Sequence, residues 1–438
     1  MSGERYLGPQ ILLAKKKEYL IPCVYHFYQD PPQIVRAQGQ YLYDHTGKKY
    51  LDLYAGVSVV SAGHCHPVIT KMAIEQWLDL QHTTTIYLTQ PMLELAEKLA
   101  GLTPGNLKQS FFCNSGSEAN ETAILLAKLA TKRKKILSLN NSLHGRTYLT
   151  MGLTGLPFWR TDPEPFPEVY FAPSPYCFRC EYGFVNETKC GFACVKKVEK
   201  IIQENPPGEI AAFIAEPIQG NGGIIVPPQE YFPRVKEILD KYGILLIVDE
   251  VQTGFNRTGK TFAIEHWGVE PDIMTMAKAL ANGLPIGAVI TTPDIAQHYT
   301  RPGASTFGGN PVIASAALAT LDVHQKEDLA RKARENGAYF KARLLELQEK
   351  YRVIGEVRGE GLMLGVELVR DYKEPASSML DQILEYFKNH GILAGKTGPG
   401  RNVLTFQPPL IITQEDIDYT IICLEQVLAN ISLNYIFP

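Results

Sequence analysis

Gly243-Ile-Leu-Leu-Ile-Val-Asp249-Glu250-Val251-Gln252 is an apolar run that stops abruptly at two carboxylates. A short apolar segment bounded in this way reads as a strand buried on both faces. Just before it, Val235, Ile238, Leu239 and Tyr242 recur at helical spacing. Between about residue 90 and residue 320, similar short runs begin at Ser110, Ile136, Ala211 and Ile286, separated by further helical patterns. Helix and strand in alternation is the βαβ pattern, which predicts an α/β fold: a mostly parallel sheet with helices on both faces. In such a sheet ligands bind beyond the carboxyl ends of the strands, so Asp249 falls at a ligand-binding position. An aspartate there can bind a metal, cap a helix or hold a protonated heterocyclic nitrogen. Gln252, three residues on, can reach an oxygen on the same ring.

The last third reads differently. A helical segment from about Glu327 to Lys350 leads into a glycine-punctuated hairpin from Val353 to Val369. Helices near 379–390 and 414–430 then flank a strand at Val403 to Phe406, which makes an α+β layer. Residues 1–65 and 322–438 are expected to form a smaller domain beside a large ligand-binding domain at 66–321.

Charge is nearly balanced, with 43 Lys plus Arg against 46 Asp plus Glu. No global field draws the chain to nucleic acid or to an anionic membrane. The first residues lack an apolar signal region and no window reads as a membrane span, so a cytoplasmic protein with its eight cysteines reduced is expected.

Lys278 is the only charged side chain between Asp272 and Asp294. Burial penalises an ammonium, and a neutral lysine is a nucleophile able to form a Schiff base with an aldehyde such as pyridoxal phosphate. A second element, Phe112-Cys-Asn-Ser-Gly116-Ser117-Glu-Ala-Asn-Glu121, joins a strand to a helix through small residues. A helix start of this kind cradles anions, with Gly116 permitting close approach and Ser117 offering a hydroxyl. A capping box of Ser115 with Glu118 fits the same residues. Neither a dinucleotide glycine fingerprint nor a P-loop occurs, and no serine sits in a hydrolase elbow.

Asn114-Ser-Gly-Ser-Glu-Ala-Asn120, His144-Gly-Arg-Thr147, Glu216-Pro-Ile-Gln-Gly220, Asp249-Glu-Val-Gln-Thr-Gly254, Ala277-Lys278 and Thr306-Phe-Gly-Gly-Asn-Pro311 follow one another in the order of the class III pyridoxal-phosphate aminotransferases. The resemblance spans about residues 40–430. It is strongest to the alanine-glyoxylate branch, notably in Met274-Thr-Met-Ala-Lys278 and Val357-Arg-Gly-Glu-Gly-Leu-Met-Leu-Gly365. It implies the fold-type-I architecture and transamination from an amino acid or ω-amine to an oxo acid such as pyruvate or glyoxylate. Lys278 would carry the cofactor as an aldimine, Asp249 would pair with the ring nitrogen and Gln252 with the ring oxygen. Gly116 and Ser117 would hold the phosphate, completed by Thr306 of a neighbouring subunit in a homodimer. Arg146 and Glu216 fall where relatives handle substrate. The resemblance leaves open racemases and phospho-lyases, which share the fold.

Two departures bear on substrate. Leu143 stands where the family usually has an aromatic residue against the ring, and Thr405 stands where many relatives have an arginine that clamps the substrate carboxylate. Arg401 or Lys396, in a glycine-rich loop, is the candidate replacement. Separately, Cys177-x2-Cys180 and Cys190-x3-Cys194 have the spacing of a structural zinc site, against the plainer reading of four packed thiols. His64-Cys65-His66 reads as a structural turn.

Overall fold

The computed structural model describes residues 6–162, 168–183, 190–206 and 208–434. After a helix at Pro9–Tyr19 come three short strands: β1 Ile34–Gln38, β2 Tyr41–Asp44 and β3 Lys49–Asp52. The central sheet follows, with β4 Gln109–Cys113, β5 Lys135–Leu139, β6 Val169–Ala172, β7 Ile210–Ala215, β8 Leu245–Asp249, β9 Ile273–Ala277 and β10 Gly287–Thr291. The C-terminal strands are β11 Ile354–Glu360, β12 Met363–Leu368, β13 Ile392–Leu393, β14 Gly395–Thr397 and β15 Val403–Phe406.

The seven-stranded sheet runs β4-β10-β9-β8-β7-β5-β6. Every neighbour is parallel except β10, which is antiparallel to both β4 and β9. Side chains alternate between two cores. Leu137, Phe213, Leu246, Met274 and Ala288 join one, while Ile136, Ala212, Ile247, Ile273 and Val289 join the other. The expected α/β layering, with helices on both faces, is therefore present, and it explains why these strands are mostly apolar runs rather than alternating ones. β6 and β9 went unrecognised in the sequence, and the reversal of β10 was not anticipated.

β11-β12-β15-β14 forms a second sheet, and β13 extends β1-β2-β3 through a parallel pairing with β3. A third core gathers Leu51 and Leu53 near one end of the chain with Phe340, Phe406, Leu424 and Leu428 near the other. Both chain ends thus contribute to the smaller sheet domain. His64 and His66 belong to the join. Their Nε2 atoms lie 2.7 Å from Asp52 Oδ2 and 2.9 Å from Glu327 Oε1.

Cys177, Cys180, Cys190 and Cys194 line one cleft of about 30 Å³. Burial is the largest influence on Cys194 and, with Cys190 and Cys180 nearby, pushes its thiol up to about 11. Zinc requires the thiolate, and among the described residues no three His, Cys, Asp or Glu side chains come together to hold a metal. The described residues thus give the zinc expectation no support: the four cysteines line one cleft without forming a metal-holding group. Among the described residues, which include all eight cysteines, there is no disulfide. No helix among them is long and apolar enough to cross a membrane.

Candidate active site

The residues following β4, β5, β7, β8 and β9 meet at one edge of the sheet, around a cavity of about 390 Å³. β10, running the other way, contributes from its opposite end through Ile286. Gly116, Ser117, Glu216, Asp249, Gln252 and Lys278 all line this cavity, so six of the residues singled out in the sequence converge.

Lys278 follows β9 directly and takes a left-handed backbone, with φ of 46°. An L-residue in that region is strained, a cost found preferentially at functional positions. Burial lowers its pKa, while Asp249 and Glu216 act in the opposite direction. The site therefore favours the neutral amine that a Schiff base needs.

Asp249 is held on three sides. His144 Nδ1 lies 2.8 Å from Oδ2, Asn120 Nδ2 donates to Oδ2 at 2.7 Å, and the Val251 N–H donates to Oδ1 at 3.0 Å. Asn120 in turn accepts from Thr275 Oγ1 at 2.7 Å and donates to the His144 carbonyl at 2.7 Å. Asn120, His144 and Thr275 had no role assigned from sequence. Asn120 did carry a signal, as a buried polar residue among Ala119, Ala123, Ile124 and Ala127 on the apolar face of the helix Gly116–Thr131.

The start of that helix is capped by Ser115, whose Oγ accepts from Glu118 N–H at 3.2 Å, while Glu118 Oε2 accepts from Asn114 N–H at 2.8 Å. The first bond is the N-cap bond, while the second reaches the residue before the cap, so the reciprocal bond of the expected capping box is not made. Gly116 and Ser117 line the cavity at the helix start, where anions bind. A Cβ on Gly116 would come within 2.8 Å of Val251 Cγ1, so only glycine lets the turn close here. An anion cradle, a carboxylate beyond a strand end and a lysine whose pKa is lowered by burial, all in one cavity, match the three poles of pyridoxal phosphate: phosphate, ring nitrogen and aldehyde.

Glu216 is fully enclosed, and burial pushes its carboxyl up to about 7. Its oxygens accept the N–H groups of Leu143 and Gly220, each at 2.9 Å. It thereby holds the backbone of Leu143, which lines the cavity in the position noted for its missing aromatic ring. Gly220 lies flat against Gln252, and a Cβ there would sit 1.8 Å from Gln252 Oε1. Gly220→Ala is expected to swing the Gln252 amide away and weaken cofactor binding by roughly tenfold, the scale of one lost hydrogen bond. Titrating the apoprotein with pyridoxal phosphate checks this, and an unchanged dissociation constant would show the glycine to be dispensable.

Three candidates lie elsewhere. Arg146 is exposed, and only its backbone N–H reaches the site, donating to Ser117 Oγ at 3.1 Å. Thr306 is exposed and lines a separate cleft with Phe111, Glu118 and Phe307. The Arg401 guanidinium stands over the rings of Phe158, Phe27 and Tyr25 at 4.8, 5.5 and 5.7 Å, outside the cavity lining. Lys396 pairs with Asp381, and Thr405 Oγ1 is 2.8 Å from Thr397 Oγ1 in the core of the smaller domain.

Glu250 follows Asp249 but points away, accepting from Thr253 Oγ1 and, at 2.8 Å, from the Ile264 N–H. Burial pushes its carboxyl from 4.5 up to about 7. The folded state keeps a proton that the unfolded chain has released, so this contribution to stability is complete below about pH 4.5 and is lost as pH rises through about 7. Glu250→Gln, neutral throughout, is expected to reduce the fall in apoprotein Tm between about pH 5 and about pH 8. Parallel Tm profiles for the variant and the parent would refute it.

The fold and the cavity define a pyridoxal-phosphate-dependent enzyme of the α/β kind. Residues 27–428 match the family described as aminotransferase class-III, and the chain belongs to that family. It is 42% identical over 430 residues to alanine–glyoxylate aminotransferase 2 homolog 2, mitochondrial, of Arabidopsis thaliana, covering 97% of this chain and 89% of that one. It is 41% identical over 407 residues to a leucine/methionine racemase of Thermococcus litoralis, covering 92% and 91%. Among solved structures, an amine transaminase from an uncultivated Pseudomonas species in its PLP-bound form superposes with a TM-score of 0.87 at 31% identity, covering 92% of this chain and 96% of that one. The chain is an aminotransferase, and its cofactor is pyridoxal phosphate.

Proposed function

We propose that the enzyme moves an amino group from an amino acid or ω-amine to a small oxo acid, with pyruvate or glyoxylate as the acceptor. The observation that carries this reading is the convergence of Lys278, Asp249 and the helix start at Gly116 on one cavity; the choice of acceptor rests on the alanine–glyoxylate relative. When bound, pyridoxal phosphate supplies an electron sink for the substrate carbanion. Lys278 Nζ would hold the cofactor and, once displaced by the donor amine, would take the proton from the substrate Cα and deliver it to the cofactor's aldehyde-derived carbon, the transfer that leaves the amino group on the cofactor. A positioned base of this kind contributes ~10²–10⁴-fold. Asp249 keeps the ring nitrogen protonated, with His144 and Asn120 fixing its orientation. The Gly116 and Ser117 N–H groups would hold the phosphate, Gln252 would face the ring oxygen, and Leu143 would supply an aliphatic ring contact.

A screen of amine donors against pyruvate, glyoxylate and 2-oxoglutarate tests the assignment. Ping-pong kinetics with one of the first two is expected; turnover with 2-oxoglutarate alone would overturn the acceptor. The racemase relative favours one alternative outcome from the same site. Mixing the holoenzyme with a donor alone separates them, because only a transaminase leaves the cofactor aminated.

The carboxylate clamp is open to test. Arg401→Ala is expected to raise KM for carboxylate donors and leave KM for a donor without a carboxylate unchanged. An unchanged KM for every carboxylate donor removes Arg401 from substrate binding.

A homodimer completes the reading. Trp77, Leu78, Ile86 and Leu88 are exposed at 56, 79, 83 and 88%. This segment reaches the Thr306 loop, where the His82 and Phe307 rings are 5.3 Å apart. Exposed apolar surface on this scale marks an interaction face, and a second copy placed there would bring Thr306 to the neighbour's phosphate. A monomer by light scattering would exclude it. The absence of disulfides supports a reducing compartment, with the cytoplasm as the proposed location; cell fractionation tests it.

A further inference from the structure

Gln407 follows β15 in the smaller domain and is fully buried. Its Oε1 accepts a hydrogen bond from Gln252 Nε2 at 3.1 Å. Its backbone N–H donates to the Leu53 carbonyl at 2.8 Å, which fixes the segment against the N-terminal strands. Its own Nε2 is buried without a partner among the described residues.

A buried donor without an acceptor is destabilising, so an apolar side chain of similar volume would suit the packing at position 407 at least as well. What an apolar residue cannot do is accept from Gln252. The Gln252 amide also lies against Gly220. Its Nε2 carries two hydrogens. With one committed to Gln407, the other is directed toward the cavity that Gln252 lines. If the acceptor were lost, the amide could rotate and present its oxygen to the cavity, turning a donor into a repulsive acceptor.

We propose that Gln407 is a positioning residue that orients the Gln252 amide toward the oxygen of the cofactor ring, so that the seating of the smaller domain on the large one sets the protonation of the bound cofactor. The proposal rests on the reading that Gln252 faces the ring oxygen. A donor at that oxygen stabilises its deprotonated form and lowers the pH at which the bound cofactor's absorbance titrates.

The test uses holoenzyme and reconstituted apoprotein of the parent, Gln407→Met, Gln407→Leu, Gln252→Met and the double variant Gln407→Met/Gln252→Met. Two quantities are read: the dissociation constant for pyridoxal phosphate and the pH midpoint of the bound cofactor's absorbance. Both position-407 variants are expected to weaken binding about fivefold and raise the midpoint by about half a unit, with apoprotein Tm at or above the parent's. In the Gln252→Met background, Gln407→Met should add nothing, since the two residues act through one hydrogen bond. An unchanged midpoint in the position-407 variants, or an equal loss of affinity in both backgrounds, overturns the proposal. If Gln252→Met itself leaves both quantities unchanged, the reading of Gln252 fails and Gln407 loses its role with it. A merely structural Gln407 would lower Tm and leave the midpoint in place.

Discussion

Lys278→Ala is expected to lower kcat by about 10⁴-fold or more, because it removes the nucleophile that holds the cofactor and the base that moves the substrate proton at once. Folding should survive. The side chain is half-buried at the cavity wall and its pKa is depressed by desolvation, so truncation removes a group that the site tolerates poorly as a cation. Two controls sharpen the result. Lys278→Arg should be as inactive as the alanine variant, since a guanidinium stays charged and is not nucleophilic at neutral pH. A small primary amine added to Lys278→Ala should restore part of the activity, because it replaces the neutral amine in a site already shaped for one. Borohydride reduction of the parent holoenzyme followed by peptide mass mapping should label Lys278. Label on another lysine would overturn the assignment.

How much of this site could be read from sequence follows from which properties are local. Asp249 and Lys278 were legible because each interrupts an apolar run, and a charge at the end of a buried strand is conspicuous without any knowledge of its neighbours. The same reasoning located β4, β5, β7, β8 and β10. It did not single out β9, Ile-Met-Thr-Met-Ala, where two methionines and an alanine weaken the β-branched signature. Nor could it give the direction of β10: a strand buried at every position carries no alternation from which orientation follows. The support around Asp249 was hidden for another reason. Asn120, His144 and Thr275 lie 129, 105 and 26 residues from Asp249 in the chain, and only the parallel order of the sheet brings them together.

The substrate side was least legible, and the structure shows why. Glu216 sits within a recognisable motif, yet both its oxygens are occupied by backbone N–H groups of the cavity wall. Arg401 offers a charge close to the join of the domains, but its guanidinium is stacked among aromatic rings. Sequence supplies residue types. Whether a side chain faces the substrate or braces the wall depends on contacts that no short motif encodes. Thr405 illustrates the reverse: losing an arginine there leaves no hole, because its hydroxyl meets Thr397 inside the smaller domain.

Asp249→Ala is expected to have the second largest effect, lowering kcat by about 10²–10³-fold, the scale on which one preorganised electrostatic partner of the reacting group acts. The carboxylate keeps a proton on the ring nitrogen, and an unprotonated ring is a poor electron sink. Removing it also leaves Asn120 Nδ2 without one of its acceptors and strips buried His144 Nδ1 of its partner. The apoprotein should therefore lose stability by about 1–3 kcal/mol for each buried polar group left unpaired. The two consequences separate in Asp249→Asn, which can still accept through its amide oxygen but offers the ring no negative charge. Its Tm should approach the parent's while kcat stays close to that of Asp249→Ala. If Asp249→Asn instead recovered most of the activity, the residue would be acting through the placement of His144, and the charge at the end of β8 would be incidental to the chemistry.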